Sequence, residues 1–235
     1  MIPIIEGKVH HFKSKGLYNG IPMLFDLESE SYWNLVTGEC LYGPLQGMQL
    51  DVSPLLPLSV YQAYTTFPDL EVAFSHQHMG KRLMGNLIMR WGTKILNPLL
   101  HHLADKEDGR LPRFAIGLGV WTDEGDGRFY PVPQIKANHN VVIDHFNGRQ
   151  LLIYCDPRSN IPAALWTTAE SAHWDDDDVL RLSNGHYWHS GILYNPGGMR
   201  REPDLPLQMY SRWYGFSYTF PGCTIYEASG MTMAS

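Results

Sequence analysis

The sequence predicts a mainly β protein, barrel-like or sandwich-like, with an inserted amphipathic helical segment around residues 79–106 and α+β as the alternative class. Three observations carry that reading. Short runs rich in Val, Ile, Tyr, Phe and Trp recur along the chain. Glycines punctuate them where tight turns need positive φ. The hydrophobic period changes from strand-like to helix-like over residues 79–106.

The elements follow in chain order. "GKVHHF", "IPMLF", "SYWNLV" and "ECLYG", within residues 7–60, read as a β-meander with glycines at 16, 20, 38, 43 and 47. Trp33 and Tyr42 are expected in its core. In 79–106, Leu83, Met84, Leu87, Ile88 and Trp91 share one helical face, and Pro98 breaks or kinks the segment. Lys81, Arg82, Arg90 and Lys94 make it basic. Packing on the sheet or on a second copy is the expected role of this helix, with a membrane surface as the other use of a basic amphipathic face. "DKEDGRLPR", 105–113, reads as a linker. From 114 the β pattern returns in "FAIGLGVW", "GRFYPV", "NVVID" and "QLLIYCD". "HWDDDDVLRL", 173–182, reads as a capped helical turn with acids at its positive end. The whole is expected as a single β-rich domain over 1–226, with an alternative division into sub-halves 1–78 and 111–226 joined by 79–110. Residues 227–235 are expected to be a disordered tail. "GKVHHFKSKGLYNG" (7–20) and "GHYWHSGILYNPG" (185–197) form a weak internal repeat.

Composition narrows the function classes. A chain of 235 residues with 44% hydrophobic and 12% aromatic content can bury a core without disulfides or metal. The net charge of −6 disfavours nucleic acid as a partner. No apolar run approaches the ~18 residues of a membrane span, and "MIPIIEGKVHHF" has no signal-peptide pattern, so a soluble protein is expected with its compartment open. Cys40, Cys155 and Cys223 are odd in number and contain no Cys-x-x-Cys, so one disulfide plus a thiol and three thiols both stand. There is no His-Glu-x-x-His, Walker loop, Gly-x-Ser-x-Gly elbow or dinucleotide fingerprint, so no nucleotide cofactor is expected.

"NHNVVIDHFNG", 138–148, holds two histidines, an aspartate and a β-branched run closed by Asn-Gly. Asn147-Gly148 between apolar runs predicts a two-residue hairpin. Counting outward, Asp144 faces Leu151, Ile143 faces Leu152, Asn140 faces Cys155 and His139 faces Asp156. His139 and His145 lie six residues apart on one face, about 20 Å at ~3.3 Å per residue, too far to share an ion. Cys155 points away from His139, which disfavours a cysteine nucleophile. His139 and Asp156 remain as a cross-strand pair suited either to orienting a base or to closing the hairpin. "HQH", His76 and His78, has the best local ligand spacing, because i and i+2 share a strand face. His10 and His11 face opposite sides, so at most one lines a given site.

In "GKVHHFKSKGLYNGIPMLFDLESESYWNLVTGECLYGPLQGMQL", Asp26 precedes a Ser-x-Ser-x-Trp element, Thr-Gly-Glu and Gly-Pro-Leu-x-Gly. "RFYPVPQIKANHNVVIDHFNGRQLLIYC" carries Tyr130, Pro131, His139, Asp144, Tyr154 and Cys155. Together the two stretches resemble a bacterial family known as domain of unknown function thirty-one seventy-nine, the first its later portion and the second its earlier portion. The portions stand in reversed order. Many relatives continue Cys-Pro-x-Cys, whereas this chain has Cys155-Asp156-Pro157-Arg158, which argues against a dithiol here. The resemblance brings no activity with it.

The expected function is a metal-dependent enzyme or metal-binding protein using copper, iron or zinc. Its metal ligands would come from His10, His11, His76, His78, His139 and His189. His139, Asp156 and Cys155 are the catalytic candidates. The alternative is a non-catalytic binding or assembly module that recognises a small molecule or protein through "NGHYWHSG" and "RWYGFSYTF" and forms a homo-oligomer through the 79–106 helix.

Overall fold

The computed structural model describes residues 3–18, 20–71, 108–176 and 178–227. The predicted helix over 79–106, with the oligomer contact assigned to it, His76, His78 and tail residues 228–235 lie outside the described residues.

The fold is mainly β, and the described strands sort into five small sheets. The first is a ribbon of β1 (Ile4–Ile5) and β2 (Lys8–Val9). The predicted N-terminal meander follows as β3 (Phe12–Tyr18), β4 (Ile21–Asp26), β5 (Tyr32–Asn34) and β6 (Cys40–Tyr42), hydrogen-bonded in that order. Trp33 is completely buried beneath it, against Phe12 and Leu24, whereas Tyr42 is exposed. After it, the short helix α1 (Val60–Thr66) starts at a capping box: Ser59 Oγ accepts from the Gln62 N–H and the Gln62 side chain accepts from the Ser59 N–H.

Residues 108–113, the described part of the predicted linker, are anchored rather than free. Leu111 is buried, Arg110 donates to the Cys223 carbonyl, and the Trp213 indole donates to Asp108 O. Then β7 (Ile116–Trp121) and β8 (Gly127–Pro131) pair antiparallel. The helix α2 (Val132–Ala137) follows directly, with Pro133 in its first turn where the missing N–H costs nothing. The hairpin of β9 (Val141–Phe146) and β10 (Arg149–Cys155) has the predicted register: Arg149 opposite Phe146, Leu151 opposite Asp144 and Leu152 opposite Ile143. Asn147 and Gly148 both have positive φ, as the tight turn requires. β11 (Pro162–Trp166) completes that sheet on the far side of β10.

The segment 173–182 corrects the helical expectation. It is a hairpin of β12 (Ala172–Trp174) and β13 (Leu180–Leu182). Asp175 closes the turn by accepting from the Val179 N–H, and Asp178 sits at φ 58°. Asp175 and Asp178 serve turn geometry, for which Asp is as well suited as for a helix start. β14 (Tyr187–His189), β15 (Ile192–Tyr194) and β16 (Arg200–Arg201) extend this sheet to five strands. The weak repeat is not a repeat of structure: 187–194 turns back at Ser190–Gly191, while 12–18 runs on as one bulged strand. Finally β17 (Leu207–Arg212) pairs with β7, α3 (Trp213–Thr219) packs behind it, and β18 (Thr224–Ile225) joins β8 in parallel.

Buried side chains hold the pieces together. Val36 and Ile21 of the N-terminal meander share a cluster with Trp121, Phe129, Trp213, Phe216 and Phe220. Gly119 lets β7 lie directly on α3, because a Cβ there would meet the Phe216 ring at 2.2 Å. The central hairpin packs one face on Leu118, Tyr130 and Ile135 and the other on Leu180 and Trp188.

Candidate functional sites

Two places gather chemically capable side chains. The first lies where the chain enters β3. His10 and His11 precede the strand, β4 ends at Asp26, and the turn after it carries Glu28. The two histidines diverge, as adjacent extended residues must. His10 turns inward, its Nδ1 lying 2.7 Å from Asp26 Oδ2, and His11 turns outward, its Nδ1 lying 2.6 Å from Glu28 Oε1. Asp26 is completely buried and also accepts from Ser29 Oγ at 2.5 Å and the Glu28 N–H at 3.0 Å. Burial pushes its carboxyl up, but the hydrogen bonds from Ser29, His10 and the Glu28 backbone outweigh that and hold it below the usual range. Glu28 also accepts from the His11 N–H at 2.7 Å, and His11 holds its carboxyl low. One potential ligand atom from each of His10, Asp26 and Glu28 falls within 4.8 Å of the other two, the one such trio among the described residues. His11, His139 and His189 stand outside it.

The second place is a cleft of about 390 Å³ lined by Ser59, Tyr61, Gln62, Asp156, Arg158, Ser159, Asp178, His189 and Ser190. Asp156 is its fixed point. One carboxylate oxygen accepts from the Arg158 N–H, the Ser159 N–H and Ser159 Oγ, and the other from Gln62 Nε2 at 2.9 Å. Arg158 pairs with Asp178 across the cleft.

The proposed His139–Asp156 pair does not form. The ladder of β9 and β10 ends at Val141 and Tyr154. His139 and Asn140 both take positive φ (57° and 63°) as the chain leaves α2, and His139 is exposed. Asn138 caps α2 by donating to Gln134 O, and the two left-handed residues then re-aim the chain, so the strand begins two residues later than the register count assumed. Pro133 and Asn138 are the signals that could have revealed that helix. Cys155 is completely buried in the cluster that holds Leu118 and Tyr130, and burial pushes its thiol up, as it does for Cys40 and Cys223. All three cysteines are free thiols. A nucleophile needs an accessible thiolate, which Cys155 does not offer. The aromatic loops proposed as a recognition surface lose their largest rings to the interior: Trp188, Trp213 and Phe216 are buried.

The residues matched at Tyr130 and Asp144 do meet. The Tyr130 hydroxyl and Arg128 Nη1 both donate to Asp144 Oδ2, at 2.9 and 2.6 Å. Burial, then the Asp144 charge, pushes the Tyr130 hydroxyl far up, so it stays a donor. This network ties β8 to β9.

A family model for proteins of unknown function (DUF3179) matches residues 3–207. The chain belongs to that family. The match takes in both resembling stretches in a single span, and with them the His10–Asp26–Glu28 cluster and the Asp156 cleft; it ends at the first residue of β17. No curated protein and no solved structure matches the chain. No helix among the described residues is long and apolar enough to cross a membrane.

Proposed function

We propose that this DUF3179 member is a metal-binding protein whose His10, Asp26 and Glu28 hold a divalent transition metal. The observation that carries the reading is the convergence of one imidazole and two carboxylates from residues 16 and 18 apart in sequence. Ligands ~2.1 Å from one ion lie at most about 4.2 Å from one another, so small side-chain rotations suffice. The donor set is one nitrogen with two oxygens and no thiolate, which suits iron(II) or zinc better than copper(I). The surroundings supply the outer shell a metal site needs. Ser29 and the Glu28 N–H fix Asp26, and His11 fixes Glu28. Burial is graded from Asp26 at the floor to Glu28 at the surface, whose side chain is 39% exposed. That leaves the outer positions for water or a substrate, the arrangement of a reactive rather than a purely structural site.

Competition with a chromophoric chelator tests it. The expected result is one tight site for zinc or iron(II), weakened at least tenfold by His10→Gln and by Glu28→Gln. Glu28 is surface-exposed, so that variant leaves the fold intact. Equal affinity in wild type and Glu28→Gln would refute the assignment, and His139→Ala and His189→Ala are expected to bind as wild type does.

A further inference from the structure

The Asp156 cleft is independent of the proposed metal site and has a different chemistry. Its acids and His189 do not bring three ligand atoms within reach of one ion; among the described residues only the His10 cluster does. Its volume falls at the low end of small-molecule pockets. It is assembled from four separate segments, each held by its own bonds. Gln62, only 6% exposed, joins two of them, since its amide oxygen closes the α1 capping box while its nitrogen grips Asp156. Thr66 Oγ1 donates to Ser190 O and fixes α1 against the His189 turn. The floor is therefore preorganised before any ligand arrives.

Charge selects the ligand. Among the described residues the lining contains Asp156, Asp178 and Arg158 and no lysine. Arg158 is paired with Asp178, so among the described residues Asp156 has no cationic partner and accepts from neutral donors alone. Its Gln62-bound oxygen accepts one hydrogen bond and keeps a second acceptor position. At the rim, Tyr61 is 65% exposed, and His189 makes no hydrogen bond through its ring among the described residues. A preset carboxylate beside an exposed aromatic face is the recognition chemistry of an organic cation. We infer that this cleft binds a small organic cation, an amine or amidine, with Asp156 as counter-ion and Tyr61 and His189 as its walls.

Three probes of one shape and different charge test this: benzamidine, benzamide and benzoate, each titrated into the full chain and followed by amide chemical shifts and by thermal shift. Benzamidine is expected to perturb the resonances of Asp156, Ser159 and His189 and to bind at least tenfold more tightly than the other two. Asp156→Asn, which keeps the turn acceptor, is expected to erase that preference. Tyr61→Ala, at an exposed position, is expected to weaken benzamidine several-fold without lowering the melting temperature. Benzoate or benzamide binding as well as benzamidine would overturn the assignment, as would absence of any shift at these residues or an unchanged preference in Asp156→Asn. None of these readouts depends on the His10 cluster, so the two assignments fail separately.

Discussion

Gln208 joins two sheets that share no backbone ladder. It lies on β17, an edge strand of its sheet, and faces β11, an edge strand of the central one. Its side-chain amide accepts from the Ala164 N–H at 2.7 Å and donates to the Ala164 carbonyl at 3.0 Å. Gln208 is 6% exposed and Ala164 is completely buried. The amide thus takes the place of a missing strand. Gln208→Leu would leave one buried N–H and one buried carbonyl without partners, at about 1–3 kcal/mol each. The apolar side chain offsets part of that, by about 1–2 kcal/mol. At the middle of both ranges the net loss is about 2.5 kcal/mol. At roughly 2–4 °C per kcal/mol for a chain of this size, the melting temperature falls by about 5–10 °C. Gln150→Leu is the comparator: Gln150 is half-buried and its side chain makes one hydrogen bond among the described residues, to Ala169 O at 2.7 Å, so its loss is expected near 1 kcal/mol. Urea unfolding with a common slope measures both. A Gln208→Leu protein within 0.5 kcal/mol of wild type, or no worse than Gln150→Leu, would refute the reasoning.

Three further outcomes are expected. Asp144→Ala leaves the buried Tyr130 hydroxyl without its acceptor, while Arg128 keeps its bonds to Thr224 Oγ1 and the His145 carbonyl, so the change should cost about 1–3 kcal/mol in urea unfolding; a loss below about 0.5 kcal/mol would mean the network is not structural. Gly119→Ala drives a methyl into the Phe216 ring and should cost about 1–3 kcal/mol by overpacking, with the melting temperature as readout and an unchanged value as the contrary result. The cysteines should be silent to a thiol reagent at pH 8. An exposed thiol there is partly thiolate, its pKa being about 8.5, but burial raises all three, so thiolate is scarcer in the folded chain and grows only as pH rises further. Stoichiometric labelling without denaturant would contradict the burial.

Much of this was legible from local signals. The meander's strands, the 147–148 turn and the register beyond it follow from β-branched runs and Asn-Gly. The sequence also placed His10 and His11 on opposite sides, which is why only His10 joins Asp26. What it could not supply was the partner. Asp26 and Glu28 look like ordinary turn acids until the chain folds back and brings them onto His10 and His11. The Asp156 cleft was hidden for the same reason, since Gln62 and Asp156 are 94 residues apart. The failures came where one residue type serves two structures. Asp-rich 175–178 suits a helix start and a hairpin turn alike. The 138–140 stretch looks like strand, but a helix cap and two left-handed residues occupy it. The aromatic loops looked like a surface because aromaticity does not distinguish core from contact; burial decided that.

The central claim is that His10, Asp26 and Glu28 bind metal. Metal content per chain, by plasma mass spectrometry on untagged protein purified without added metal, tests it most directly, with Glu28→Gln purified in parallel. The account predicts close to one zinc or iron per wild-type chain and a clear loss in the variant. Wild-type protein without metal that takes up none on addition of zinc or iron(II), or a Glu28→Gln protein that retains the full complement, would contradict it.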